Sequence, residues 1–313
     1  MILIKICFTD FWSQFNYYDN FFIRKLRLKF NIIIDEINPD VIIYSTYGTQ
    51  FLKYTRAIRV IYIAENVRPS FSECDYSLSF DYPGYNNRNL RYPLYVMYGL
   101  PASMLLPKDS EIILKDKNHF CNMVVSNGAA PERIDFFNIL NKLQRVDSGG
   151  KILNNIGGPV LDKLSFIKDY RFSIAFENSS FCGYTTEKIL EPMKVNSIPI
   201  YWGSPSIAEE FNDKSFINVH DFSNLKAAAE HVIKIENNQE LLKNMLSEPW
   251  FKNNKVTKYF ENEEFNLFFE TIFERKKSNS KYYYTKKQGK AIYSVIRKKI
   301  ISKILKKSYC HIS

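Results

Sequence analysis

Three groups of residues in this chain have types and spacings suited to chemistry on an anionic or ionisable ligand. The first lies in residues 170–205, YRFSIAFENSSFCGYTTEKILEPMKVNSIPIYWGSP. Its apolar run 172–176 suits a buried strand of a parallel sheet. A polar loop, 177–183, follows. Thr185-Thr186-Glu187-Lys188 then opens a helical pattern with Ile189, Leu190 and Met193 as its apolar face. Thr185 or Thr186 can cap that helix, and Pro192 limits its length. A second strand, 198–201, leads into the turn Trp202-Gly203-Ser204-Pro205. Strand, loop and lysine-bearing helix start together make an anion-binding unit. Free amides and the helix dipole favour a phosphate there, and Lys188 adds a full charge.

The second group centres on Arg133. A strand over 121–125 runs into the turn Ser126-Asn127-Gly128, and Pro131 starts a helix reaching about residue 143. Arg133 falls in the first turn, where a cation opposes the helix dipole, so an anion nearby would account for it. A solvated surface arginine is the alternative. The third is Glu65, in Ala64-Glu65-Asn66 directly after a strand over 60–63. Ligands of parallel α/β sheets bind beyond the carboxyl ends of the strands, which makes Glu65 a candidate for chemistry. The alternative is an ordinary exposed loop acid.

The elements that must position these groups alternate in type. Strands are expected over 3–8, 31–34, 41–44, 60–63 and 76–80, with a helix over 19–29. Irregular sequence over 82–116 reads as surface loops and a crossover. A second series follows, with helices near 162–169, 207–211, 223–235 and 262–273 and a strand over 216–219. This alternation argues for two α/β domains on mostly parallel sheets, 1–117 and 118–274, followed by a tail, 275–313.

Composition narrows the function classes. The chain has 313 residues, 45% apolar and 16% aromatic, enough for two packed cores. No apolar run approaches the ~18 residues of a membrane span, and the N-terminus reads as a strand instead of a signal peptide. Five scattered cysteines without CxxC spacing argue against a zinc site or disulfide framework and point to a reducing cytosol.

The net charge of +10 belongs to the tail. From Arg275 onward there are 13 Lys or Arg and no acid, leaving 30 cations against 33 acids, or about −3, in the rest. A nucleic-acid-binding core is disfavoured. Within 291–307, Ile292, Ile296, Ile300 and Ile304 recur every fourth residue, the pattern of a basic amphipathic helix. Such a helix can lie on an anionic membrane surface, each cation there contributing ~1 kcal/mol. GxGxxG, GxxxxGK[ST], HExxH and GxSxG are absent, so the usual fingerprints of dinucleotide oxidoreductases, P-loop ATPases, zincins and serine hydrolases are missing.

With these residues placed, the chain resembles the bacterial α-1,3/4-fucosyltransferases of glycosyltransferase family ten. The resemblance is strongest over 172–222, in F-E-N-x(5)-Y-x-T-E-K, I-P-I-Y-W-G-S-P and F-N-x-K-S-F-I-N-V-H-D-F. It extends more weakly to Arg133, Gly149-Gly150, Tyr170, Arg91-Tyr92-Pro93-Leu94-Tyr95 and Ala64-Glu65-Asn66. It implies a GT-B fold of two Rossmann-like domains facing a cleft, with the donor in the second domain and a basic helical tail.

The implied reaction moves L-fucose from GDP-fucose, with inversion, to a GlcNAc hydroxyl of an N-acetyllactosamine-type glycan, as in Lewis-type or O-antigen synthesis. Arg133 and Lys188 match the family's diphosphate-binding cations. Tyr184 and Glu187 match contacts to the ribose and fucose region, Asn178 a donor-site amide, and Glu65 the general base. Glu187 has a second, catalytic part in steadying charge on the sugar. No DxD occurs, and no metal or other cofactor is expected. The expected location is cytoplasmic, peripheral on the inner face of the membrane through 275–313. The alternatives are α-1,4 transfer, another nucleotide sugar, or a membrane-bound glycan- or nucleotide-binding protein without activity.

Overall fold

Short β-branched and aromatic runs separated by polar segments fold into strands that lie parallel. The computed structural model describes residues 3–82, 84–128, 130–274, 287–299 and 301. The first series is β1 (Leu3–Thr9), α1 (Phe21–Leu26), β2 (Asn31–Ile34), β3 (Val41–Tyr44), β4 (Ile58–Tyr62), β5 (Tyr76–Ser79) and β6 (Asn89–Arg91). These six strands form one sheet in the order β2-β1-β3-β4-β5-β6, with every pairing parallel. Parallel strands buried on both faces read as continuous apolar runs, as Val41–Tyr44 does.

The second series is α2 (Ser110–Lys115), β7 (His119–Met123), α3 (Pro131–Leu143), β8 (Val146–Ser148), α4 (Lys163–Ile167), β9 (Tyr170–Phe176), α5 (Glu187–Lys194), β10 (Ile198–Trp202), β11 (Ile217–Asn218), α6 (Leu225–Glu236) and α7 (Gln239–Ser247). Its five strands pair in parallel in the order β11-β10-β9-β7-β8. Phe136, Leu140, Phe172, Ile174, Ile198, Ile200 and Val232 lie in its core. The last labelled helix is α8 (Glu263–Glu274).

The chain divides into two units, Met1–Tyr92 with the residues from Glu261 on, and Pro93–Phe260. These breaks differ from the expected 117/118 and 274/275, and side-chain packing explains why. In the first unit, α8 sets Phe265 against Tyr92 at 5.3 Å, Phe268 against Tyr76 at 5.7 Å and Phe273 against Phe30 at 5.0 Å. Buried Lys25 donates to Tyr92 Oη and the Glu261 carbonyl, and burial lowers its pKa to about 8. In the second unit, Tyr95 donates to Glu210 and packs on Phe211 and Phe260, so the irregular segment after Tyr92 joins that unit.

Residues 287–299 are helical and pack within the first unit. Ala291 is fully buried beside Cys7, Ile42 and Tyr44, and Val295 packs on the same cluster. Gln288 accepts from buried Arg59, and Lys287 pairs with Asp75. Ile292 and Ile296, half of the expected apolar stripe, remain 42% and 51% exposed. Most of the remaining tail, 275–286, 300 and 302–313, lies outside the described residues. Among the described residues no helix is long and apolar enough to cross a membrane.

Candidate donor site

The stretch 170–205 takes the strand, helix and strand that its pattern predicts. β9 ends at Phe176 and β10 at Trp202, in register with each other, so Glu177, Asn178 and Gly203 emerge together at the carboxyl edge of the sheet. Glu177 donates its backbone N–H to the Trp202 carbonyl at 2.7 Å. Its side chain is completely buried and accepts from Thr186 N and Thr186 Oγ1, both at 2.7 Å. A buried carboxylate therefore grips the residue that caps α5. Residue 203 has to be glycine for this, since a Cβ there would overlap Glu177 and the Tyr201 hydroxyl.

Lys188 stands in the first turn of α5. Its Nζ lies 3.2 Å from Glu177 Oε2, 3.1 Å from Thr186 Oγ1 and 3.6 Å from Glu187 Oε1. Burial works against the ammonium, but Glu177 and Glu187 outweigh it and raise its pKa, so Lys188 stays charged. Burial likewise presses Glu187 toward the neutral acid, yet Lys188 and Lys163 reverse this and hold its pKa below the usual value. The side chain of Lys188 is 16% exposed and that of Glu187 17%.

Arg133 sits in the first turn of α3 but is not a solvated surface residue. It is 1% exposed. Nη1 donates to the Asn127 carbonyl at 2.9 Å, and Nη2 donates to the Phe176 carbonyl at 2.6 Å and to Asn178 Oδ1 at 3.0 Å. Burial lowers its pKa and Glu177 opposes that; a guanidinium keeps its proton. Arg133 thus ties the loop after β7 to the end of β9 and orients the Asn178 amide.

Tyr184 is 1% exposed, and its carbonyl accepts from the Tyr201 hydroxyl at 3.4 Å. Trp202 stacks between Phe176 and His220, with both centroid distances 5.9 Å, which gives it a packing role. His220 and Ser180 both reach the Gly203 carbonyl, at 3.1 and 2.8 Å. Arg133, Asn178, Tyr184, Glu187 and Lys188 all belong to the second unit. Glu177 is the acid of the F-E-N signature, and its hold on Thr186 is not among the roles expected from sequence. Its place one residue past a buried apolar run was the available signal.

Glu65 belongs to the first unit and follows β4 at the carboxyl edge of that sheet. It is half-buried, and the Tyr47 hydroxyl donates to its Oε1 at 3.4 Å. It is therefore not a plain solvated loop acid.

The second unit gathers a buried arginine, a paired lysine and a capped helix start at the carboxyl ends of its parallel strands, a composition that suits a phosphorylated ligand. Comparison with known proteins gives the family. Residues 6–98 match the alpha-(1,3)-fucosyltransferase FucT N-terminal domain, and residues 114–294 match the glycosyltransferase family 10 (fucosyltransferase) C-terminal region. The chain belongs to glycosyltransferase family 10.

It is 34% identical over 261 residues to the alpha-(1,3)-fucosyltransferase FucT of Helicobacter pylori, covering 72% of this chain and 55% of that protein. It is 29% identical over 171 residues to GDP-fucose protein O-fucosyltransferase 3 of Bos taurus, covering 49% and 36%. The chain thus spans about half the length, or less, of these two relatives. A solved structure of alpha1,3-fucosyltransferase with GDP-fucose is 27% identical and superposes with a TM-score of 0.71, covering 88% of this chain and 91% of that one. The α/β fold of GT-B type, with two parallel-sheet units, accordingly stands as expected.

Proposed function

We propose that the chain transfers L-fucose from GDP-fucose, with inversion, to the 3-hydroxyl of GlcNAc in an N-acetyllactosamine-type glycan. The observation that carries this reading is the Glu177–Lys188–Glu187 cluster beside the Arg133–Asn178 pair at the carboxyl edge of β9. Two tasks are divided among the residues. Lys188 faces the charge that builds on the departing diphosphate, and Arg133 adds its field from beneath while fixing Asn178. The acceptor hydroxyl loses its proton to Glu65 as its oxygen bonds to the anomeric carbon. Glu187, kept ionised, accepts hydroxyl protons of fucose or steadies positive charge on an oxocarbenium-like ring, by analogy with glycosidase carboxylates.

The reading is tested by incubation with GDP-fucose and N-acetyllactosamine, followed by mass spectrometry and linkage analysis. A trisaccharide carrying α-1,3-linked fucose is expected. An α-1,4 linkage would correct the regiochemistry, and transfer only from another nucleotide sugar would overturn the donor.

We further propose that the tail contacts an anionic membrane surface. Exposed Ile292, Tyr293 and Ile296 lie on the described part of the tail, beside Arg297 and Lys299. They supply apolar and cationic groups for an anionic lipid surface on the cytoplasmic side. Changing Ile292, Ile296 and Arg297 together to Ser should release the protein from anionic vesicles; unchanged sedimentation would refute the contact.

A further inference from the structure

Three loops of the first unit converge on Glu65. They follow β1, β3 and β4, which are neighbouring strands paired Thr9 to Tyr44 and Tyr44 to Ile61. The loop after β1 carries Asp10 and Trp12, and the loop after β3 carries Tyr47. Asp10 clamps these two loops together. Its Oδ1 accepts from Gln50 N at 2.9 Å, its Oδ2 from Phe51 N at 2.8 Å, and its carbonyl from Tyr47 N at 3.1 Å. Asp10 Oδ1 occupies the space a Cβ of residue 48 would need, so Gly48 is part of the same clamp. Ser45 Oγ donates to the Tyr62 carbonyl at 2.8 Å and ties the second loop to the end of β4.

The clamp holds Tyr47, whose hydroxyl reaches the Glu65 carboxylate, next to Trp12. Tyr47 is 50% exposed and Trp12 is half-buried, with ring centroids 6.1 Å apart at 80°. Phe11 and Phe15 also meet Trp12 at steep angles, 71° and 83°, so none of these three rings lies flat on the indole. Burial and the neighbouring Glu65 raise the Tyr47 pKa, so its hydroxyl keeps the proton it donates.

We propose that Trp12, Tyr47 and Glu65 form the acceptor subsite and that its ligand is an uncharged pyranose. This rests on the reading of Glu65 as the base. Trp12 packs against the apolar face of the sugar ring, and Tyr47 is a positioning residue that aims the Glu65 carboxylate at the hydroxyl. An aromatic ledge with one convergent carboxylate is the usual composition of a small-ligand site, and the carboxylate disfavours an acidic sugar. An extended peptide is a poorer fit. Among the described residues the three loops leave interior strands of the sheet, whose outer strands are β2 and β6, so no unpaired strand edge is offered for strand addition there.

The test is steady-state kinetics of the full chain with N-acetyllactosamine and GDP-fucose varied in turn. Trp12→Ala should raise the acceptor KM ~3–10-fold, with much smaller changes in kcat and in the GDP-fucose KM. Trp12→Leu serves if the alanine variant does not fold, and Trp12→Phe should restore most of the affinity. Tyr47→Phe should lower kcat ~10-fold with little change in acceptor KM. An unchanged acceptor KM in Trp12→Leu, or equal loss toward both substrates, overturns the subsite even where Glu65→Gln is inactive. An acceptor-specific effect alongside a fully active Glu65→Gln keeps the sugar platform and removes the base. Transfer to a Ser/Thr peptide, with no transfer to the sugar, overturns the ligand class.

Discussion

Glu65→Gln is expected to lower kcat by ~10²-fold or more, the usual worth of a positioned general base, while GDP affinity by calorimetry stays at the wild-type value. The amide keeps the shape and can still accept from the Tyr47 hydroxyl 3.4 Å away, so the fold has no reason to change. What is lost is the ability to take a proton. Arg133, Asn178, Glu187 and Lys188 all lie in the other unit, so donor affinity should not follow the substitution. A variant with near-normal turnover would remove Glu65 from the chemistry.

Lys188→Ala should weaken GDP binding ~10–150-fold, corresponding to a charge-assisted hydrogen bond worth ~1.5–3 kcal/mol. It should also destabilise the second unit. The Glu177 carboxylate is fully buried and has Lys188 at 3.2 Å, and removing one partner of a buried ion pair costs about 3–5 kcal/mol. The two effects separate in a double variant. Glu177→Gln added to Lys188→Ala leaves a neutral amide that can still accept from Thr186 N, so much of the stability should return. GDP affinity should not. If the double variant recovered GDP binding too, Lys188 would be a structural tether and not a ligand of the diphosphate.

Much of this was legible in the residues. The strand starting the donor stretch, the Thr186 cap, the helix from Pro131 and the parallel sheets all follow from local pattern. Two short strands were not, although the two-residue β11 lies within the expected strand over 216–219. β6 and β8 have three residues each, too few for a periodicity to register. The breaks between the two units are not legible in local pattern, because they depend on long-range packing. Phe265 and Phe268 give α8 an apolar face whichever sheet it joins, and only Tyr92 and Tyr76 show which one. Ala291 and Val295 were hidden for the same reason, since the isoleucine stripe beside them dominates the tail's pattern. Pattern could place Arg133 in a first helical turn, but not turn it inward onto Phe176 and Asn178. The part played by Glu177 needed the contact across nine residues to Thr186.

The central claim is that the cluster at the end of β9 is a GDP-fucose site. Thermal unfolding of the wild-type chain with saturating GDP, UDP or CMP tests it most directly, because a ligand raises the transition only by binding the folded state. The account predicts a rise of several degrees with GDP, about the same with GDP-fucose, and none with UDP or CMP. An equal rise with all three nucleotides, or none with GDP, would contradict it.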